Sequence, residues 1–214
     1  MGSRKQKALA SIVVGVVLVA IPALPAAADD AAVNGWTEEE LVSAAMALGV
    51  DETWARAAWD AGLVESIPVT TEQQYEQSTR QPTEDEAATL EAQGEPVPLA
   101  VVSTSHEQIW YNAFGGALTR ITMHKSFNAT GLSVSAISDY ITTGSGFGWY
   151  FNGVVNDWDV YSTEAGRPNG GHTSYTMGLF CNDIPAPSCV NQWVQIKGLW
   201  NGVTEKSGGY DLAQ

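Results

Sequence analysis

The sequence predicts a mainly β protein: an antiparallel β-sandwich of about six to eight strands, preceded by a short acidic helical hairpin and a linker. Three observations carry this. From about Val101 onward, apolar residues recur with period two, interrupted by Gly, Asn and Pro roughly every ten residues. Before that point they recur at helical spacing behind capping residues. Charge and aromatics also redistribute at one place. Residues 29–98 hold 16 acids, two bases and four aromatics, whereas residues 99–214 hold eight acids, five bases and sixteen aromatics. The step falls at GEPVPLA and sets a boundary near Val97–Leu99.

Residues 1–28 read as a signal peptide. Arg4, Lys5 and Lys7 precede an apolar run from Ala8 to Ile21, and Ala26 and Ala28 form an A-x-A signal before Asp29. The run is 14 residues long, short of the ~20 that span a bilayer, and Pro22 and Pro25 break its extension. The expected localisation is therefore secreted, with cleavage near Ala28–Asp29. Without residues 1–28, seven cations face 24 acids, a net of −17. Such a surface repels phosphate backbones and anionic lipid, which argues against nucleic acid and, after cleavage, against membrane as partners.

The helical hairpin is expected over residues 29–65. Thr37 with Glu40 forms a capping-box pattern, Leu41, Ala44, Ala45 and Leu48 repeat at helical spacing, and Gly49 ends the helix. Asp51 caps a second helix bearing Trp54, Ala57 and Ala58, which stops at Gly62. Residues 66–98, rich in Thr, Gln, Glu and Pro, read as a polar linker or pro-segment with one short helix from about Glu84 to Ala92 behind Thr83 and Glu86.

Residues 99–214 read as the aromatic-rich sandwich. In RITMHKSF, Ile121, Met123 and Phe127 share one face, and Arg120, Thr122 and His124 the other. In GFGWYFNGVVNDWDVYST the parity of Phe147, Trp149, Phe151 and Val155 changes at Trp158 and Val160, which predicts a β-bulge near Asn156–Asp157. GSGFG (residues 144–148) reads as a hairpin turn. Tyr175, Met177, Leu179 and Cys181 share the next apolar face; Val194, Ile196 and Trp200 point inward from the strand after it. The tail from Thr204 is expected to fray. In an oxidising compartment the two cysteines, Cys181 and Cys189, pair across CNDIPAPSC.

No assembled reaction centre stands out, so no catalytic residue is assigned. The three histidines are not in ligand spacing, which argues against structural zinc. His124 and His172 take the polar parity of their strands, where with Arg120 they form a candidate polar site if those strands are neighbours. Asp157 and Asp159 are candidate calcium ligands at the expected bulge, although NDWD lacks the glycine and distal glutamate of an EF-hand; no other cofactor is implied. Trp193, Trp149 and Tyr150 are candidates for an exposed platform that stacks on sugar rings or an aromatic partner. Ile184, Pro185 and Pro187 make a stiff loop that loses little entropy on binding.

These features favour a secreted, non-enzymatic binding or interaction protein whose ligand is an extracellular or cell-wall protein or glycan. Two alternatives remain: an extracellular hydrolase using dispersed residues such as His124, His172 and Asp157, and an inhibitor or toxin-like effector acting through residues 181–189.

Overall fold

The chain's cap and turn residues set the limits of its elements. In the computed structural model, which describes residues 15–18 and 32–212, Thr37 accepts the Glu40 N–H while the Glu40 carboxylate accepts the Thr37 N–H at 2.9 Å. This reciprocal cap starts α1 (Glu38–Ala47). Asp51 accepts the Trp54 N–H at 3.0 Å and starts α2 (Glu52–Asp60), with Gly49 and Gly62 at positive φ behind the two helices. Thr83 and Glu86 repeat the device for α3 (Glu84–Gln93), a solvated helix with no buried residue. Apart from Gly15–Leu18, the expected signal peptide lies outside the described residues, as does its Ala26–Ala28 site.

The strands are β1 (Gly15–Leu18), β2 (Pro68–Arg80), β3 (Ala100–Asn112), β4 (Ala117–Ala129), β5 (Val134–Ser145), β6 (Tyr150–Glu164), β7 (Arg167–Asn182), β8 (Ser188–Leu199) and β9 (Thr204–Leu212). They form two antiparallel sheets, β2-β3-β4-β5 with β1 added beside β2, and β6-β7-β8-β9. From β2 to β9 each strand pairs with its neighbour in sequence except at β5–β6, where the chain passes from one sheet to the other. GSGFG is the turn at that passage and not a hairpin, with Phe147 and Gly148 both at positive φ. Ala165–Gly166, also both at positive φ, close a two-residue hairpin between β6 and β7.

Three further expectations are corrected. Residues 68–80, expected as linker, form a 13-residue strand paired along β3. Low apolarity does not prevent this, because the strand meets β9 through side-chain hydrogen bonds. Gln73 donates to Gly208 O at 3.0 Å, Thr204 donates to the Gln77 carboxamide oxygen, and Lys206 donates to Glu76 O at 3.2 Å. The tail from Thr204 is β9, paired along the length of β8. In β7 the inward set is His172, Ser174, Thr176 and Phe180, while Tyr175, Met177 and Leu179 lie half-buried on the outer face. The bulge expected near Asn156–Asp157 is present, with Val155 as the extra residue, and is one of three register shifts along β6.

A single apolar cluster runs from the helices into both sheets. Leu41, Ala45 and Leu48 of the α1 region and Trp54 and Ala58 of α2 join Trp110, Leu118 and Ile121 of the first sheet and Phe180, Val194 and Ile196 of the second. Trp54 and Trp149 lie 5.5 Å apart, Trp149 and Trp110 6.1 Å, and Trp110 and Tyr210 5.7 Å. Trp149 Nε1 donates to Ser66 O at 2.7 Å, and Tyr210 Oη donates to Ala47 O at 3.0 Å. The helices therefore cover one mouth of the space between the sheets and share its core. A second cluster, Val102, Phe127, Ala129 and Val134, fills the opposite end.

Candidate functional site

Cys181 and Cys189 are bonded and stand directly opposite each other in the β7–β8 ladder. Ile184 between them is exposed, and Tyr150 Oη donates to the Asp183 carboxylate at 3.1 Å, tying the start of β6 to the loop. Tyr150 thus belongs with Ile184, Pro185 and Pro187 at one corner. Trp149 does not join a platform: it is 3% exposed, inside the tryptophan cluster. Its large ring is the plug between helices and sheets.

His124, His172 and Arg120 do not form one site. His124 and Arg120 lie on the outer face of the first sheet, in an open groove of about 530 Å³ lined also by Glu76, Glu107, Thr122 and Thr142. Several of its polar groups are paired within it. Arg120 Nε meets Glu107 at 3.2 Å, Thr122 donates to Glu107 at 2.8 Å, and His124 stacks on Tyr140 while bonding Thr142 at 3.2 Å.

His172 faces inward, toward a residue that sequence reasoning passed over. Lys125 sits between Met123 and Phe127 on the apolar parity of β4 and is 2% exposed. Its Nζ donates to His172 Nδ1 at 2.7 Å and to Ser174 Oγ, with Ile196 O at 3.5 Å. Ser174 Oγ donates onward to Asp139 Oδ2 at 2.7 Å. Burial pushes the lysine down to about 8, against the pull of Asp159 and Asp139. Burial and the neighbouring ammonium also lower His172. At the mouth of this network Asp139 lies beside Asp159. Burial and Asp139 raise Asp159, whereas for Asp139 the bond from Ser174, the neighbouring Asp159 and the Lys125 charge outweigh burial and lower it. The lysine–serine contact has the composition of a general base and nucleophile, but both groups are sealed between the sheets. It clamps β4, β5, β6 and β7 together.

The calcium candidates separate similarly. Asp157 accepts the Thr176 hydroxyl at 2.6 Å, whereas Asp159 lies beside Asp139 near Lys125. Among the described residues, no group of three or more His, Cys, Asp or Glu is placed to hold a metal ion. His124, His172 and Asp157 lie respectively in the groove, in the interior and at a small cavity between β5 and β6, so they share no pocket.

Trp193 does stand in an aromatic assembly, with partners other than those expected. On the outer face of the second sheet, Trp158 and Tyr175 stack at 5.2 Å and 11°, and Tyr175 and Trp193 at 5.7 Å and 28°. Three adjacent strands contribute one ring each. Trp193 lies across Gly209 of β9, where a Cβ would come within 3.0 Å of the indole. Trp158, at the open end, is 39% exposed. Gln195 opposite Ser207 flanks the strip on one side, and Asn191 opposite Asp211 on the other. Burial, with the Asp211 charge, raises the Tyr175 hydroxyl and keeps it a neutral donor. The Gly208–Gly209 pair was the signal available in the sequence. Glycines inside a strand mark a close approach, here by a ring from the neighbouring strand.

Comparison with family models, with curated proteins and with solved structures found no match.

Proposed function

We propose that this chain is an exported, non-enzymatic β-sandwich protein, carrying a helical hairpin at one mouth, that binds a cell-wall or other extracellular glycan along Trp158, Tyr175 and Trp193. The observation that carries this reading is the stacked strip itself. Three large rings share the solvent side of a rigid sheet, with amides, a hydroxyl and a carboxylate along both edges. Aromatic faces take the apolar C–H face of a sugar ring, and flanking polar groups take its hydroxyls. Rings held by neighbouring strands lose little freedom on binding.

The acidic character agrees: a net charge of −17 without residues 1–28 suits a neutral polyhydroxylated ligand and disfavours polyanions. The mature protein begins near Asp29 and keeps its N-terminal helices. No cofactor or metal is needed for binding of this kind. The groove containing Arg120 and His124 is the poorer site, because Arg120 is already paired with Glu107 and His124 with Tyr140 and Thr142.

Affinity electrophoresis through gels containing β-glucan, chitin derivatives, mannan or solubilised peptidoglycan tests the reading. Retardation by at least one neutral polysaccharide, relieved by its free oligosaccharide, is the expected outcome. Unretarded migration in every gel would remove the proposal.

A further inference from the structure

The outer face of the first sheet carries, beyond His124 on the side away from Arg120, a second trough of about 380 Å³. Its floor comes from one register of the sheet. Ser78 of β2 stands opposite Ser103 of β3, Ser103 opposite Ser126 of β4, and Ser126 opposite Ser138 of β5. Four serines thus lie in one row across four strands, and the first three line the trough. The neighbouring row is Glu76, Ser105, His124 and Tyr140. Its rings stand taller than serine: Tyr140 is stacked on His124 at 4.7 Å and 15° and is 59% exposed. Short side chains beside a wall of larger ones make the depression.

We propose that this trough is a second saccharide site, and that the protein bridges two neutral polysaccharide chains through opposite faces of the sandwich. The ligand class, and the other half of the bridge, rest on the glycan reading of the Trp158 strip. Three features select a sugar. Each serine hydroxyl both donates and accepts, as sugar hydroxyls do, and Ser103 and Ser126, bonded at 3.1 Å, use only one proton between them. Tyr140 supplies a flat apolar surface for the C–H face of a pyranose. The Lys125 ammonium is turned inward to His172, so Glu76 is the carboxylate of the trough and no cationic Lys or Arg faces it to hold an anion.

A peptide is the poorer occupant. The row crosses the strands, and β3 and β4 are paired on both sides, so the floor offers no free main-chain groups to an extended chain. The volume falls within the ~300–1,000 Å³ of small-ligand sites. The row spans three strand spacings, about 14 Å, enough for a short run of pyranose rings. With one tyrosine against the three rings of the strip, the trough is the weaker site. On a polymer with many repeats it adds avidity and joins chains.

Calorimetry, tryptophan fluorescence and light scattering test this on the parent protein, Ser103→Arg, Tyr140→Ser and Trp158→Ala. The probes are the oligosaccharide that competes best in the gels and the polysaccharide it comes from. In the parent protein, calorimetry counts two oligosaccharides per chain, one tight and one weaker, while quenching, which reports the strip, saturates with the first. Scattering rises as polysaccharide chains are joined. Ser103→Arg fills the trough from an exposed strand position. It removes the weaker site and the rise in scattering, with unchanged quenching and melting. Tyr140→Ser weakens that site about tenfold or more, and Trp158→Ala weakens the tight one alone. A single oligosaccharide per chain, weakened in Trp158→Ala and indifferent to both trough variants, would overturn the trough and keep the strip. Two sites that survive both trough variants unchanged would overturn it as well. A parent protein that migrates unretarded in every gel removes strip and trough together.

Discussion

Lys125 occupies a position where the alternation of β4 requires an apolar side chain, and the surroundings explain why it is tolerated. A buried ammonium is costly unless its protons are all accepted. Here His172, Ser174 and the Ile196 carbonyl take them. Removing the cation leaves His172 without its donor and the Asp139–Asp159 pair without its counter-charge. Lys125→Ala should therefore lower stability by about 3–5 kcal/mol, and Lys125→Met by less because it refills the volume. Chemical denaturation of the two variants distinguishes them.

His106 gives the pH dependence. Its ring is fully buried beside Tyr75, and desolvation lowers its pKa to about 4 from 6.5. The unfolded chain then takes the proton first as pH falls, so stability is fully present above 6.5 and is lost progressively down to about 4. The size is roughly 3 kcal/mol. His106→Phe should flatten that part of a plot of unfolding free energy against pH. Lys125 acts in the same sense at higher pH. With its folded pKa near 8 against 10.5 unfolded, stability rises again between those values.

At the scale of elements, what could be read in the sequence depended on whether local chemistry alone decided the outcome. The capping boxes at Thr37 and Thr83 and the cap at Asp51 were legible because each is closed within a few residues. Strands β3, β4 and β8 were legible by alternation. The strand at residues 68–80 was not, because its hydrogen-bonding partners on β9 lie more than 120 residues away. The two faces of β7 were likewise ambiguous. Lys125 makes its polar face the inner one, while Trp158 and Trp193 cover Tyr175 on the other. For the same reason only Trp193 of the strip could be singled out. Its stacking depends on which residues of neighbouring strands lie beside it.

The cysteine pair is the clearest prediction for a single element. It joins facing residues of β7 and β8 eight positions apart. Replacing both cysteines by serine should cost roughly 2.5 kcal/mol, leaving a folded protein with a lower melting temperature.

At the scale of the whole molecule, the acidic N-terminal half and the aromatic C-terminal half differ in composition yet share one core. Deleting residues 29–98 would remove β2 and uncover Trp110 and Trp149. The expected product is insoluble or lacks cooperative unfolding, as circular dichroism and thermal melting would show. The second sheet, its outer face carrying the stacked rings of Trp158, Tyr175 and Trp193, is the platform that the proposed glycan recognition requires.

The most direct measurement is a calorimetric and fluorescence titration of the protein, Trp158→Ala and Trp193→Ala with the oligosaccharide that competes best in the gels. Recognition along the strip predicts saturable quenching in the parent protein and an affinity lower by about tenfold or more in each variant, with unchanged melting. Equal affinity in all three proteins would place the ligand elsewhere and contradict it.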